Sequence, residues 1–160
     1  MIGVKQLRSL FQEVAAEVNA ELDDNMLAFK VKKIIVSPTE SHLVKKLKDQ
    51  AGVVLAFRMP SADSAIIDAD NYAELNKLLF YIIEKVDPGT HNDEQELDHY
   101  NMLQKITSAF KLKLMDRLMG NDFCSTDNEL AKGFHTEFEY QEFGGFNGLS
   151  VSFDVKDFYL

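Results

Sequence analysis

The hydrophobic pattern is cleanest near the end of the chain. Phe134, Thr136, Phe138 and Tyr140 alternate with His135, Glu137, Glu139 and Gln141, and Leu149, Val151, Phe153 and Val155 alternate with Ser150, Ser152, Asp154 and Lys156. A period of two sends successive side chains to opposite sheet faces, so 134–143 and 149–157 are predicted as half-buried strands. A tight turn at Gly144-Gly145 sets Tyr140 against Leu149, Phe138 against Val151, Thr136 against Phe153 and Phe134 against Val155, and the apolar faces then coincide. A turn at Asn147-Gly148 would instead put Glu142 opposite Phe153 on the apolar face.

Earlier segments repeat at helical or mixed periods. Val4, Leu7, Leu10, Phe11, Val14, Val18 and Leu22 recur at steps of three and four, which predicts an amphipathic helix over 4–22. Residues 27–36, rich in β-branched side chains, suit a strand, although Lys33 falls in phase with Phe29, Val31 and Ile35. Ser37-Pro38-Thr39-Glu40 carries the cap, first-turn proline and capping-box glutamate of a helix start, here for 39–50. Val53 to Phe57 is an unbroken apolar run, expected of a strand covered on both faces over 52–58, and Pro60 closes it. Residues 61–70 are compatible with a loop or a short edge strand around Ile66-Ile67. Tyr72, Leu75, Leu79, Ile82, Ile83 and Val86 form a stripe that predicts a helix over 71–86. Asp87-Pro88-Gly89 is a turn. A long helix is expected over 93–119, with Asp93, Glu94, Glu96 and Asp98 at its positive end and Lys111, Lys113 and Arg117 near the other. It would span about 40 Å. Residues 121–132 read as a loop.

These elements define an α+β fold, expected as one domain over 1–160. A mostly antiparallel sheet of about four strands (27–36, 52–58, 134–143, 149–157) is packed on one face by helices (4–22, 39–50, 71–86, 93–119). The 160-residue length and 46% apolar content are enough for a core without disulfides or metals. The single cysteine, Cys124, excludes an internal disulfide and fits a reducing compartment. Charges at Lys5, Arg8 and Glu13 interrupt the first residues, which do not read as a signal peptide, and no apolar run approaches a membrane span. A cytoplasmic protein is expected.

Charge adds an asymmetry. Residues 1–58 carry nine Lys/Arg against seven Asp/Glu, and residues 59–160 carry eight against nineteen. Lys30, Lys32, Lys33, Lys45, Lys46 and Lys48 make a basic group. With no interleaved aromatics and an acidic remainder, it points to a docking patch or solvated face rather than to nucleic acid. Large apolar side chains at the hairpin tip (Phe143, Phe146) and in the tail (Phe158, Tyr159) mark a candidate interaction surface unless they fold back onto the core.

No catalytic, cofactor-binding or metal-binding motif is recognisable. The four histidines lack helical zinc spacing, and the surroundings of Cys124 match no nucleophile motif. The Gly144-Gly145-Gly148 group lies between strands, not at a helix start. His91, Asp93, Glu96, Asp98 and His99 are the densest group of possible ligands, read foremost as a solvated helix start. An enzyme would need that group gathered in a deep pocket.

In the order of its elements the chain resembles the small tail-completion or tail-terminator proteins of phages and related contractile systems. The segments that carry the likeness are the helix VKQLRSLFQEVAAEVNAEL, the strand VVLAF and the terminal strands FHTEFEY and LSVSFDV. The resemblance implies a ring-forming structural protein whose partners are copies of itself or another assembly component; with no cofactor-binding motif in the chain, no cofactor is expected. It carries over no site residue. The rival expectation is an acidic binding module, such as an immunity-type inhibitor of a basic protein.

Overall fold

The computed structural model of the chain describes residues 3–68, 71–119, 129–130 and 133–159, without the side chains of 65–68, 71–73, 129–130 and 157–159. It is an α+β structure built on one mostly antiparallel sheet. The elements are α1 (Val4–Ala20), β1 (Lys33–Ser37), α2 (Glu40–Leu47), β2 (Val53–Arg58), β3 (Ser61–Asp68), β4 (Asn71–Lys85), α3 (Asp93–Met119), β5 (Glu129–Leu130), β6 (His135–Gln141) and β7 (Phe146–Tyr159). Six strands have five residues or more, against the four expected, and the two-residue β5 makes a seventh.

β4 and β7 form the spine, paired antiparallel from Tyr72↔Tyr159 to Lys85↔Phe146. On the other edge of β4 lie β2, against Phe80–Glu84, and β3, against Asn71–Lys77. Both run antiparallel to β4, so they are two halves of one line broken at Met59-Pro60, where proline cannot donate to a ladder. β1 lies outside β2, parallel to it, and α2 makes the crossover. Beyond β7 lie β5 and β6, also in line with each other. The sheet therefore ends in β1 on one side and β6 on the other, about 19 Å away at ordinary strand spacing.

The helix expected over 71–86 is strand β4. Its apolar positions satisfy a helical stripe, but Leu78 to Ile83 is apolar at every position, which a central strand buried on both faces requires. Leu78, Phe80 and Ile82 enter one core, Tyr81 and Ile83 the other. The strand expected over 27–36 begins only at Lys33, because Asp24–Phe29 winds into a 3₁₀ turn. The start of α2 also moves: Thr39, not Ser37, is its cap, accepting from the His42 N–H at 3.3 Å.

Helices lie on both sheet faces rather than one. α1 and α3 cover Val53, Leu55 and Phe57 of β2 and Leu149, Val151, Phe153 and Val155 of β7. Phe11 centres this larger core, edge-on to Phe57, Phe80 and Phe110 with ring centres 4.9, 5.4 and 5.5 Å away. On the opposite face, Leu43 and Leu47 of α2 pack on Ile35, Val54, Ala56, Tyr81 and Ile83. α1 and α3 run antiparallel, tied by Arg117 to Glu17 and Glu13 and by Lys113 to Glu21.

The hairpin turn is wider than two glycines. Glu142–Gly145 makes a single turn, entered by Gln141 with positive φ, and Phe143 also has positive φ. Phe138 consequently pairs with Leu149 and Thr136 with Val151, a shift of two residues from the expected register. A shift of two keeps every side chain on its face, so the apolar faces still coincide.

Candidate functional site

The two sheet edges differ in chemistry. At the β1 edge, Lys30, Lys32 and Lys33 and, on α2, Lys45 and Lys46 are all exposed, as expected of an interaction surface. The structure brings two of them together with Arg8 of α1. Arg8, Lys33, Ile34, Ile35, Val36 and Lys46 line a crevice of about 260 Å³. The Lys46 ammonium donates to the Val36 carbonyl at 2.6 Å, and the Asn19 side-chain amide donates to and accepts from the Val31 backbone, both at 2.9 Å. Backbone groups that an edge strand would leave open are thus partly covered.

The β6 edge is acidic and aromatic. Phe138 and Tyr140 are each 62% exposed and stand among Glu137 and Glu139, with exposed Leu97 on the neighbouring α3. Tyr100 of α3 joins helix to strand: its hydroxyl donates to the Glu139 carbonyl at 2.7 Å and its ring meets Phe138 edge-on at 5.6 Å. Burial first, and then the charges of Glu96, Tyr140 and Glu139, push the Tyr100 phenol up to about 12.

The candidate residues at the hairpin tip are not available to a partner. Phe143 and Phe146 are buried in the smaller core, Phe143 edge-on to Tyr81 at 4.9 Å. The positive φ at Phe143 turns the chain back so that its ring reaches Tyr81. Phe158 and Tyr159 belong to β7, but their side chains lie outside the described residues, as does Cys124. Among the described residues the exposed aromatics are instead Phe138 and Tyr140, which alternation alone assigns to a buried face. Alternation identifies a face but not whether the strand sits at the margin, where the helical layer ends.

The acidic start of α3 divides. Asp93 and Asp98 point to solvent, whereas His99 is buried with 6% exposure and its Nε2 lies 2.9 Å from Glu84 of β4. His91, in the loop before α3, lies beside it with the rings tilted by 57° and their centres 5.5 Å apart. The Nδ1 atoms of both rings are buried without a hydrogen-bond partner. Nothing in the sequence pairs Glu84 with His99, because the apolar stripe around Glu84 predicts a helix over 71–86 rather than a strand beside α3. Among the described residues, no three His, Cys, Asp or Glu side chains converge as a metal cluster, and no helix is long and apolar enough to cross a membrane.

No protein-family model matches the chain, and no curated protein matches it significantly.

Proposed function

We propose that this is a non-enzymatic structural protein that assembles with copies of itself in the cytoplasm, as a component of a phage tail or related contractile apparatus. The observation that carries the self-assembly is the opposition of the two sheet edges: a basic crevice beside β1 and an acidic, aromatic strip on β6. Surfaces that differ in this way join head to tail, and such contacts close into a ring when the rotation per copy allows it. Phe138 or Tyr140 supplies an aromatic anchor for the apolar floor of Ile34 and Val36, while Lys33 and Arg8 meet Glu137 and Glu139. The tail-apparatus setting rests on the order of elements.

Sedimentation across a concentration and salt series tests the assembly. We expect oligomers at low salt that dissociate toward about 1 M salt, where charges are screened beyond about 3 Å. Lys33→Glu should give monomers, and Glu137→Lys added to it should restore association. A wild-type chain that stays monomeric at high concentration and low salt refutes the proposal. The acidic β6 strip also suits a basic protein partner, as in an immunity-type module. Co-purification of one basic protein at equal stoichiometry with a monomeric chain would favour that reading.

A further inference from the structure

We propose that His91 and His99 form a two-histidine site for a divalent transition ion such as Zn²⁺, with Glu84 as the outer partner that orients His99.

The tautomer follows from the contacts. An ionised carboxylate can only accept, so at 2.9 Å from Glu84 the Nε2 of His99 carries the proton. In the neutral ring this leaves the Nδ1 of His99 as a bare lone pair, and that atom is buried with no partner. A buried polar atom left unpaired is costly, so such an atom calls for an explanation. The Nδ1 of His91 is in the same condition on the adjacent ring. Two imidazoles bound to one tetrahedral ion at about 2.1 Å per nitrogen hold their ring centres about 5 Å apart. The observed separation is 5.5 Å. A ligating histidine whose second nitrogen is fixed by a carboxylate is the usual outer-shell arrangement of protein zinc, and imidazole donors select zinc and its neighbours over calcium or magnesium.

The loop holds His91 in place without an ion. Asn92 and Gln95 cap α3 reciprocally, at 3.0 and 2.9 Å, and Thr90 donates to the Asp87 carbonyl at 2.7 Å. A crevice of about 20 Å³ adjoins His91; it is lined by Asp87 and Glu96 but not by His99, so it offers water an approach to His91 rather than a seat between the two rings. With only two protein donors, water completes the coordination, and binding is weaker than at a closed structural site.

Calorimetric titration of the full-length chain with Zn²⁺, followed by imidazole ¹⁵N spectra, tests the site. We expect one ion per chain, shifts at the Nδ1 of both His91 and His99, and loss of binding in His91→Ala. Glu84→Gln should weaken binding by about 10–100-fold. His135→Ala, which removes the exposed histidine paired with Glu137 on β6, should leave it unchanged. Because His99 is in the core, each variant's folding is checked by circular dichroism. Absence of saturable binding to the wild type, or binding that survives in folded His91→Ala, overturns the proposal. So does binding lost in His135→Ala.

Discussion

At the scale of single residues, backbone satisfaction and close approach dominate. Asn19 gives Val31 the two hydrogen bonds that a neighbouring strand would supply, and so fixes where the chain enters β1. Asn19→Ala strands those groups and should cost about 1–3 kcal/mol in urea unfolding. Gly148 is tighter still: a Cβ there would lie 2.2 Å from the Ile82 carbonyl oxygen, a backbone atom that cannot swing aside. Gly148→Ala should therefore destabilise by at least about 1–3 kcal/mol, the range for overpacking, with the midpoint of denaturation as the measure. The tyrosines add a pH signature. Tyr100 is raised to about 12, and burial raises Tyr81 as well, both from 10.0. These folded phenols hold their protons at pH values where the unfolded chain has lost them. Their contribution to stability is full below pH 10 and declines as the pH climbs toward about 12. Absorbance titration near the phenolate band should resolve late-ionising tyrosines in the folded chain, and the melting temperature should fall over the same interval.

At the scale of elements, legibility followed periodicity wherever one face met solvent. α1 and α3 announce themselves because their polar sides are wet, and α3 runs over the expected 93–119; β7 shows its alternation because Ser152, Asp154 and Lys156 stay half-buried while Phe153 and Val155 are buried. β4 failed for the opposite reason. Over residues 78–83 this strand feeds a core on each face and has no wet side, so alternation vanishes and Leu78-Leu79-Phe80-Tyr81-Ile82-Ile83 fits a helix as well as a strand. Its neighbours decide the matter: β2 and β7 offer hydrogen bonds on both edges, which a helix could not use. Hydrogen exchange distinguishes the two structures. Amides of Leu78 to Ile83 should be among the slowest in the chain and should match those of their β7 partners Gly148 to Phe153. The candidate site was legible only as charge. The lysines of the β1 edge stand out, but a turn between two strands leaves Phe143 and Phe146 free to face either a partner or the core. Their burial depends on the wide Glu142–Gly145 turn folding back on Tyr81, which no local pattern announces. The ion pairs between α1 and α3 are partly exposed, so Arg117→Ala should cost about 1 kcal/mol or less by thermal melting.

At the scale of the whole molecule, one pair of strands serves two cores. Alternate residues of β4 feed the cluster around Phe11 and the cluster around Tyr81, so neither can loosen without moving the strand that builds the other. Unfolding followed by tyrosine fluorescence, which includes Tyr81 of the smaller core, should coincide with unfolding followed by helical circular dichroism. In the proposed assembly, the sheet margins set how copies of the chain can meet. Lys46 on Val36, Asn19 on Val31 and Tyr100 on Glu139 occupy backbone atoms through which bare strands zip together indiscriminately. Contact between copies is thereby left to side chains, whose shapes and charges discriminate among partners. Covered margins of this kind disfavour fibril nucleation when chains crowd together during synthesis, and under the proposed assembly they leave one orientation in which copies join.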